Sequence, residues 1–175
     1  MNTELLRLIH DNSRETACIS TRQIPFGDFV RAACEENACG KYGACWTCPP
    51  AVGSVESLQK RILSYDKAIV YTTVHTLEDS FDIEGMFEAG KQHKHFDLSL
   101  CRHLGNEKML LSSGACSLCS RCTYPDAPCR HPERALISVE ACGIDVTALA
   151  KECGIRYYNG ENTVTYFSML LYREG

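Results

Sequence analysis

The sequence predicts an α+β fold with a mixed or antiparallel sheet, helices packed on one face of it, and cysteine-rich loops that carry metal sites. Two observations support this fold class. Segments with the apolar spacing of helices are interspersed with segments rich in β-branched and aromatic residues, and the chain ends in the pattern of a β-hairpin. Cysteine, glycine and proline are concentrated in two stretches that have neither pattern. With 175 residues and no internal repeat, the chain is expected to form a single metal-binding domain, residues 1–175.

Amphipathic helices are predicted where apolar residues recur on one helical face. The segments with this spacing are residues 3–11, 55–64, 84–103 and 142–153. Ser54 precedes the second segment as a cap, and Gly105 follows the end of the third. The fourth helix is predicted to be capped at Asp145 and stopped by Gly154.

Strands are predicted where β-branched and aromatic residues are concentrated. Residues 67–75 have the composition of a largely buried strand, and residues 108–113 form a strand that leads directly into the second cysteine stretch. Residues 155–158 and 163–172 are predicted to be the two strands of a hairpin. Short apolar segments that fit either strands or irregular approaches to the first cysteine stretch are residues 16–19 and 26–33.

Composition and charge narrow the class of protein. Apolar residues make up 45% and charged residues 23% of the chain, which is ordinary for a globular protein and excludes disordered and fibrous classes. The net charge is −4 and no run of Lys or Arg occurs, so no nucleic-acid partner is expected. No apolar run reaches the about 18 residues of a membrane span, so no membrane association is expected. The first ten residues lack the apolar core of a signal peptide, which favours a cytoplasmic protein.

The chain contains 12 cysteines. Because cytosolic reductants keep thiols reduced, metal binding or redox chemistry is the better interpretation than disulfides. The downstream cysteine motif lies between Gly114 and Pro132 and has the spacing C-x2-C-x2-C-x6-C, formed by Cys116, Cys119, Cys122 and Cys129. Four thiolates this close together repel one another unless a cation compensates their charge, so a metal is predicted here.

Iron–sulfur and zinc centres both fit four cysteines, and the spacing favours iron–sulfur. The core C-x2-C-x2-C opens the bacterial iron–sulfur pattern and suits a [4Fe-4S] cubane. Zinc sites usually have paired C-x2-C knuckles separated by a longer span. Four basic residues either supply positive charge and N–H donors to an anionic cluster or form an exposed face: Arg121, Arg130, His131 and Arg134.

The upstream cysteine motif has the spacing C-x4-C-x5-C-x2-C and consists of Cys34, Cys39, Cys45 and Cys48. The prolines at positions 49 and 50 follow it directly, and a proline after a cysteine restricts the turn at a cluster-binding loop. Trp46 and Tyr42 fit either a cover over the site, an aromatic platform for a planar substrate or, as we favour, packing in the core.

The other cysteines and the histidines of the third helix are expected to bind no metal. Cys142 and Cys153 lie on or beside a helix, where buried free thiols are common, so they are predicted to pack in the core. A solvated helix face, rather than a further metal site with Cys101, is expected for His93, His95 and His103. The sequence contains no nucleophile–His–acid arrangement, phosphate loop or dinucleotide fingerprint, so no catalytic residue is assigned.

Three segments resemble the motifs of an uncharacterised, cysteine-rich family of predicted metal-binding proteins. They are Cys34…Cys39-x2-Tyr42…Trp46-x-Cys48-Pro-Pro, Gly114-Ala-Cys-x2-Cys-x2-Cys-x-Tyr-Pro…Pro-Cys129-Arg-His-Pro-Glu-x-Ala, and Glu140-Ala-x-Gly-Ile-Asp145-Val. The resemblance covers residues 25–172 and implies a metal-binding, iron–sulfur protein of anaerobic bacteria and archaea, with no settled reaction. The family pattern has no cysteine at the position of Cys45, so it implies an upstream ligand set of Cys34, Cys39 and Cys48.

The number of cysteine ligands at the upstream site distinguishes two functions, substrate chemistry and electron transfer. With three thiolates, a cubane keeps one iron with an open position, where substrate chemistry is possible. With Cys45 as a fourth thiolate the site is closed, and electron transfer is the simpler function. On the three-ligand interpretation, Cys45→Ala keeps the upstream cluster and Cys48→Ala loses it. Whether the two motifs bind separate metals or converge on one is left open by the spacing.

We therefore predict one or two iron–sulfur clusters that act in electron transfer or small-molecule redox chemistry. The expected partner is a redox protein or a small molecule. The alternative is a structural or regulatory module that binds zinc, which would be colourless and would unfold with a chelator. The candidate ligands are Cys34, Cys39, Cys45, Cys48, Cys116, Cys119, Cys122 and Cys129.

Overall fold

The computed structural model describes residues 3–105 and 107–174 and contains, within these ranges, five α-helices and four β-strands. The helices are α1 (Thr3–Asn12), α2 (Asp28–Glu35), α3 (Val55–Ile62), α4 (Ile83–Leu100) and α5 (Val146–Cys153). The strands are β1 (Glu15–Ser20), β2 (Lys67–Thr76), β3 (Lys108–Leu111) and β4 (Thr163–Tyr172). None of the described helices is both long enough and apolar enough to cross a membrane.

The four strands form one antiparallel sheet in the order β1-β2-β4-β3. The central strands β2 and β4 pair along ten residues each, from Lys67 opposite Tyr172 to Thr76 opposite Thr163. β3 pairs only with the last four residues of β4, so the chain leaves the sheet soon after Leu111 and enters the downstream cysteine loop. The α+β class and the antiparallel sheet of the prediction are thereby confirmed.

Helices cover both faces of this sheet, so the prediction that they pack on one face is wrong. Successive side chains of a strand point to opposite faces. Ala68 and Val70 of β2 belong to a core that includes residues of α3 and α5, which lies on what we call the first face. Ile69 and Tyr71 belong to a second core with residues of α1 and α4, on the second face. Because both faces of the central strands are apolar, each requires a helical layer.

The predicted hairpin is wrong, because residues 155–158 form no strand. β4 pairs instead with β2 and β3. The segment that precedes β4 contacts this strand through side chains. The Tyr157 ring stacks on Phe167 with ring centroids 5.8 Å apart, and Asn159 Nδ2 donates to Thr165 Oγ1 at 2.9 Å. Tyr158 is 70% exposed, so the aromatic residues that suggested a strand lie largely at the surface.

The remaining elements agree with the sequence except at their boundaries and at α2. Ser54 Oγ accepts a hydrogen bond from the backbone of Ser57 and caps α3, and Asp145 caps α5, which ends at Gly154 with φ of +65°. Residues 140–142 and 101–103 form 3₁₀ turns outside α5 and α4. Of the two short apolar segments, 16–19 lies within β1, whereas most of 26–33 lies in α2 and does not form a strand.

Candidate metal centre

The downstream cysteine loop is anchored at both ends to the end of β3. The backbone N–H of Ser112 donates to the carbonyl of Ile137 at 2.9 Å, and Val139 donates back to the carbonyl of Ser112 at the same distance. Ser138 therefore lies beside Ser112 in a short parallel bridge. The irregular chain between these points carries all four downstream cysteines, so the sheet fixes where the loop starts and where it returns.

The upstream cysteine loop is held by α2 and by contacts with the downstream loop. Arg31 of α2 donates to the carbonyls of Ala141 and Gly53 at 3.0 and 2.9 Å, which positions the helix that ends beside Cys34. On the opposite side, the indole N–H of Trp46 donates to the carbonyl of Ala127 at 3.1 Å.

Trp46 spans the two cysteine loops. Its ring meets the ring of Tyr124 edge-on, with centroids 4.9 Å apart. Half-buried Trp46 also lines the cavity that the two loops enclose, while Tyr42 is 36% exposed. The prediction that these two aromatic residues pack in the core is therefore wrong, and Trp46 has the covering position that was its alternative.

Five cysteines from both loops line one small cavity. Four of them are the downstream set and the fifth comes from the upstream loop: Cys116, Cys119, Cys122, Cys129 and Cys45. Thr47, Arg130 and His131 complete much of the polar lining. The two motifs, which lie about seventy residues apart in sequence, thus meet at Cys45.

Hydrogen bonds stabilise the thiolate form of Cys45. The Cys48 thiol, the Thr47 hydroxyl at 3.5 Å, and the backbone N–H groups of Thr47 and Cys116 all point at the Cys45 sulfur. Led by the bond from Cys48, they lower the pKa of Cys45 to about 5 although its side chain is buried. The same bond, followed by burial, raises the pKa of Cys48 well above its usual value. Since thiolates rather than thiols bind metals, Cys45 is prepared for binding at the cavity.

The hydroxyl of Thr47 also joins the loops directly. Its oxygen accepts a hydrogen bond from the backbone N–H of Cys116 at 3.2 Å, so its own proton is free to point at Cys45. Thr47 is 3% exposed. A residue that the spacing argument passed over therefore connects the first cysteine of the downstream motif with the third cysteine of the upstream motif.

The other three upstream cysteines form a neighbouring group. Burial raises the pKa of Cys34, and the nearby Arg31 guanidinium opposes this rise. The charge of Cys39 adds to the rise at both Cys34 and Cys48, so Cys39 lies within electrostatic reach of each of them. This is the set that the family resemblance implied, Cys34, Cys39 and Cys48, while Cys45 faces the downstream cavity.

The thiols of the two loops lie near one another. Within residues 3–105 and 107–174, no three side chains of Cys, His, Asp or Glu converge closely enough to hold an ion as they stand. The donor set nevertheless fits a soft-metal centre, because sulfur ligands favour iron–sulfur clusters, zinc and Cu(I) over Mg²⁺ or Ca²⁺.

The inner face of α4 carries charged and polar groups that the sequence analysis placed in solvent. His93 is 1%, Lys94 6% and Asp97 0% exposed, so the prediction of a solvated histidine face is wrong for His93, although His95 is exposed. The sequence contains a pattern that indicates the burial of His93 and Asp97. His93 and Asp97 continue the helical spacing that begins at the buried Ala89, so the apolar stripe runs through polar residues.

Lys94 is a buried cation between the two cysteine groups. Its ammonium donates to the carbonyl of Gly114 at 3.3 Å. Burial lowers the pKa of Lys94, and the charges of four neighbours oppose this effect, which places its ammonium near Asp97, Cys116, Glu140 and Cys48. In its charged form, Lys94 stabilises negative charge on the neighbouring thiolates.

Asp97 links this region to the sheet through three hydroxyl groups. Tyr71 donates to its Oδ1 at 2.6 Å and Ser168 to its Oδ2 at 2.7 Å, while Ser112 also donates to Oδ2. Ser112 is the residue at which the downstream loop leaves the sheet. Asp97 therefore fixes the start of that loop from within the second core.

Glu140 is a second carboxylate near the thiols. Its Oε2 atom is the one buried side-chain nitrogen or oxygen without a hydrogen-bond partner among the described residues. The charge of Glu140 contributes to the pKa of both Cys34 and Lys94, so it lies close to each. An unpartnered buried oxygen near Cys34 fits a further ligand or a proton at that position.

The remaining candidate residues divide between the site and the rest of the molecule. His131 and the exposed Arg130 line the cavity, while Arg121 and Arg134 are exposed and lie outside its lining. Four cysteines lie outside both groups. Cys142 and Cys153 pack in or against the first core, as predicted, while half-buried Cys101 and exposed Cys18 lie on α4's C-terminal turn and on β1.

Comparisons with known proteins agree with a metal-binding role. Searches of the curated proteins and of the solved structures gave no match. A family model described as "Predicted metal-binding protein (DUF2284)" matches residues 17–172, which include both cysteine loops, α4 and nearly all of the sheet. The chain therefore belongs to this family of predicted metal-binding proteins.

Proposed function

We propose that this protein binds iron–sulfur clusters and uses them in electron transfer or in redox chemistry on a small molecule. The supporting observation is the cavity on which five cysteines from both loops meet. A [4Fe-4S] cluster takes four cysteine ligands, and the cavity offers these with one sulfur to spare. Zinc would use only four of the eight clustered thiols for a closed site.

The ligands divide into two sets on this proposal. The downstream set is Cys116, Cys119, Cys122 and Cys129, with Cys45 on the same cavity. The upstream set is Cys34, Cys39 and Cys48, with the unpartnered oxygen of Glu140 nearby. A cluster held by three cysteines supplies electrons and an exchangeable iron position, so the upstream set is the place for small-molecule chemistry and the downstream set the place for electron storage.

The charges around the thiols support a redox role. An iron–sulfur cluster with cysteine ligands is anionic, and it gains a further negative charge on reduction. Lys94 holds a buried positive charge close to Cys48 and Cys116, between the two sets. A positive charge that cannot be screened by water favours the reduced form and raises the potential.

A zinc site remains the second candidate because of one specific contact. Cys45 and Cys48 form one C-x2-C pair and Cys116 and Cys119 another, and the bond from Cys116 to Thr47 brings the pairs together. Paired knuckles of this kind are typical of tetrahedral zinc. This candidate predicts a structural or regulatory module and leaves Cys122 and Cys129 without a function.

Metal analysis of the anaerobically purified protein separates the two candidates. The iron–sulfur proposal expects iron and acid-labile sulfide in equal amounts, broad visible absorption, and a paramagnetic signal after reduction with dithionite. Zinc without sulfide would refute it. The proposed partner in the cell is a redox protein or a small molecule. Its identity is not required for these measurements, because dithionite supplies the electron.

Alanine variants test the ligand sets separately. Cys122→Ala should lose the downstream cluster on the iron–sulfur proposal and should leave a zinc site of two C-x2-C pairs intact. Cys48→Ala should lose only the upstream cluster, whereas Cys45→Ala should perturb the downstream cluster and spare the upstream one. Cys153→Ala is the matched control, because this half-buried thiol packs against the first core away from both loops. Equal iron content in Cys122→Ala and Cys153→Ala would contradict the downstream assignment.

A further inference from the structure

A chain of hydrogen bonds runs along the second face from the partly exposed His75 to the fully buried Asp97. His75 Nε2 lies 2.9 Å from Thr73 Oγ1, and Thr73 Oγ1 lies 2.7 Å from His93 Nδ1. On the far side of the ring, His93 Nε2 lies 2.8 Å from Ser168 Oγ, which donates to Asp97 Oδ2 at 2.7 Å. Every link is short enough for a good hydrogen bond, and no link is missing.

The positions of the protons along this chain follow from counting donors. Ser168 has one hydroxyl proton and donates it to Asp97, so it accepts from an N–H at Nε2 of His93. Burial lowers the pKa of His93 to about 4, so the ring is neutral at neutral pH and its Nδ1 is an acceptor. Thr73 therefore donates to Nδ1 and accepts from an N–H of His75. All donors along the chain point toward Asp97.

The charged and titratable groups around these five side chains do not change the direction of hydrogen-bond donation from His75 to Asp97. On α4, the negative charge of Asp97 favours a proton on His93, but burial outweighs it, and Lys94 opposes it as well. From the strands, Tyr166 stacks on the His93 ring at 5.5 Å, and the hydroxyl of Tyr71 donates to Asp97. Burial, followed by the charge of Asp97, raises the pKa of Tyr71 far above its usual value, so Tyr71 keeps its proton.

The buried end of the chain lies beside the thiols. Asp97 is close to the ammonium of Lys94, and the same ammonium is close to Cys116 and Cys48. Asp97 also accepts from Ser112, where the downstream loop begins. A proton that arrives at Asp97 changes the charge next to Lys94 and so changes the potential at both cysteine groups.

We propose that the five side chains from His75 to Asp97 form a proton path between solvent and the buried Asp97–Lys94 pair. A proton bound at Nδ1 of His75 is balanced by four transfers. The Nε2 proton of His75 passes to Thr73, the hydroxyl proton of Thr73 to His93 Nδ1, the Nε2 proton of His93 to Ser168, and the hydroxyl proton of Ser168 to Asp97. One proton has entered, both imidazoles have changed tautomer, and Asp97 has become neutral.

The role of this proton path rests on the proposed function, because it requires a thiolate site that is reduced and reoxidised. When an external one-electron donor adds negative charge at the thiolate site, a proton on Asp97 compensates that charge at a distance. The proton comes from water at the partly exposed His75. Without such a path, the buried surroundings of Asp97 and Lys94 could not adjust their charge when the thiolate site is reduced.

Hydrogen exchange of the His93 ring tests the path in metal-free protein. Nitrogen-15 NMR of labelled histidine should show the Nε2–H tautomer for His93. Thr73→Val removes the hydroxyl but keeps the shape, and it should slow exchange of the ring proton by about 10²-fold, the lower range for a positioned proton-transfer group. Thr73→Ser should restore the rate, and His75→Leu should slow it as Thr73→Val does.

If Thr73 has only a structural role, Thr73→Val should speed exchange of the His93 ring proton rather than slow it. A destabilising substitution opens the protein more often, and this increases the exchange rate. Thr72→Val is the matched control. Thr72 directly precedes Thr73 in β2 and is 1% exposed, and its hydroxyl donates to the carbonyl of Glu15 on β1, outside the path from His75 to Asp97. Exchange in Thr73→Val that equals or exceeds the rate of the parent protein, or an Nδ1–H tautomer of His93, would overturn the path.

The iron-loaded protein provides a second and separate measurement. Its rate of reduction by dithionite should fall in D₂O for the parent protein, and Thr73→Val should lower the rate further while iron content stays unchanged. If the protein holds no iron, the exchange result still stands and only the proposed function fails. If iron and sulfide are present but exchange is unaffected by Thr73→Val, the proposed function stands and the path is refuted.

Discussion

Replacement of Asp97 by alanine is the most direct test of the buried network that joins the sheet to the cysteine loops. The carboxylate is completely buried and accepts hydrogen bonds from the hydroxyls of Tyr71, Ser112 and Ser168. In Asp97→Ala these three buried donors lose their acceptor, and Lys94 loses a neighbouring negative charge. The variant is therefore expected to lower the free energy of unfolding substantially.

The magnitude follows from the three hydroxyls. A buried polar group left without a partner costs about 1–3 kcal/mol, so three of them cost about 3–9 kcal/mol if nothing rearranges. Ser168 retains its contact with His93, and water entering the space left by the carboxylate reduces the cost further. We expect a loss of at least about 3 kcal/mol. Tyr71→Phe removes only one of the three hydroxyls that donate to the carboxylate, and it is expected to cost about 1.5–3 kcal/mol, the range for one hydrogen bond to a charged group.

Urea unfolding of the reduced, metal-free protein, followed by circular dichroism, measures these changes. Asp126→Ala is the control, because Asp126 lies exposed in the downstream loop, and it should change stability by no more than about 0.5 kcal/mol. The double variant Tyr71→Phe/Asp97→Ala should be less unstable than the sum of the single variants, since both remove the same bond. A loss below about 1 kcal/mol in Asp97→Ala, with an unchanged dependence on urea, would refute the network as a source of stability.

Three further predictions concern other parts of the site. Because burial lowers the pKa of His93 from 6.5 to about 4, the unfolded chain binds more protons between these values, and stability should fall by about 3 kcal/mol as pH decreases from about 6.5 to about 4. His93→Gln should remove this component in urea unfolding at both ends of the range. The single tryptophan, Trp46, lines the cysteine cavity, so its fluorescence should be quenched when iron–sulfur clusters are reconstituted and recover with a chelator. Arg31→Met loses the bonds to the carbonyls of Ala141 and Gly53, and it should halve the iron content while leaving the downstream cluster visible by its paramagnetic signal.

Most of the secondary structure could be predicted because it follows from local patterns. Periodic apolar residues and capping side chains such as Ser54 and Asp145 specify where α3 and α5 begin. The hairpin was wrong for a non-local reason. Residues 155–158 resemble a strand in composition, but β4 already pairs with β2 along its whole length and with β3 near its end. Which strands pair is decided by the whole sheet rather than by either segment.

The candidate site shows the same division between local and non-local information. The spacing of the cysteines identified two motifs, but it could not show that Cys45 faces the downstream group, because this depends on how Thr47 and Trp46 dock on a loop far away in sequence. The buried residues of α4 were missed for a different reason. His93 and Asp97 occupy core positions, and residue type alone favours solvent for both.

The burial of Lys94 and Asp97 is not explained by stability alone. Burying two opposite charges costs desolvation that their attraction repays only in part, and apolar residues of similar size are often as stable. Lys94 and Asp97 are nevertheless almost completely enclosed, and between them they touch the start of the downstream loop, the hydroxyls of the sheet and the surroundings of Cys48 and Cys116. A pair placed there stabilises a negatively charged thiolate group without admitting water. This arrangement makes physical sense if the charge at the thiolates changes during function, because an apolar pair of equal stability could neither compensate such a change nor accept a proton.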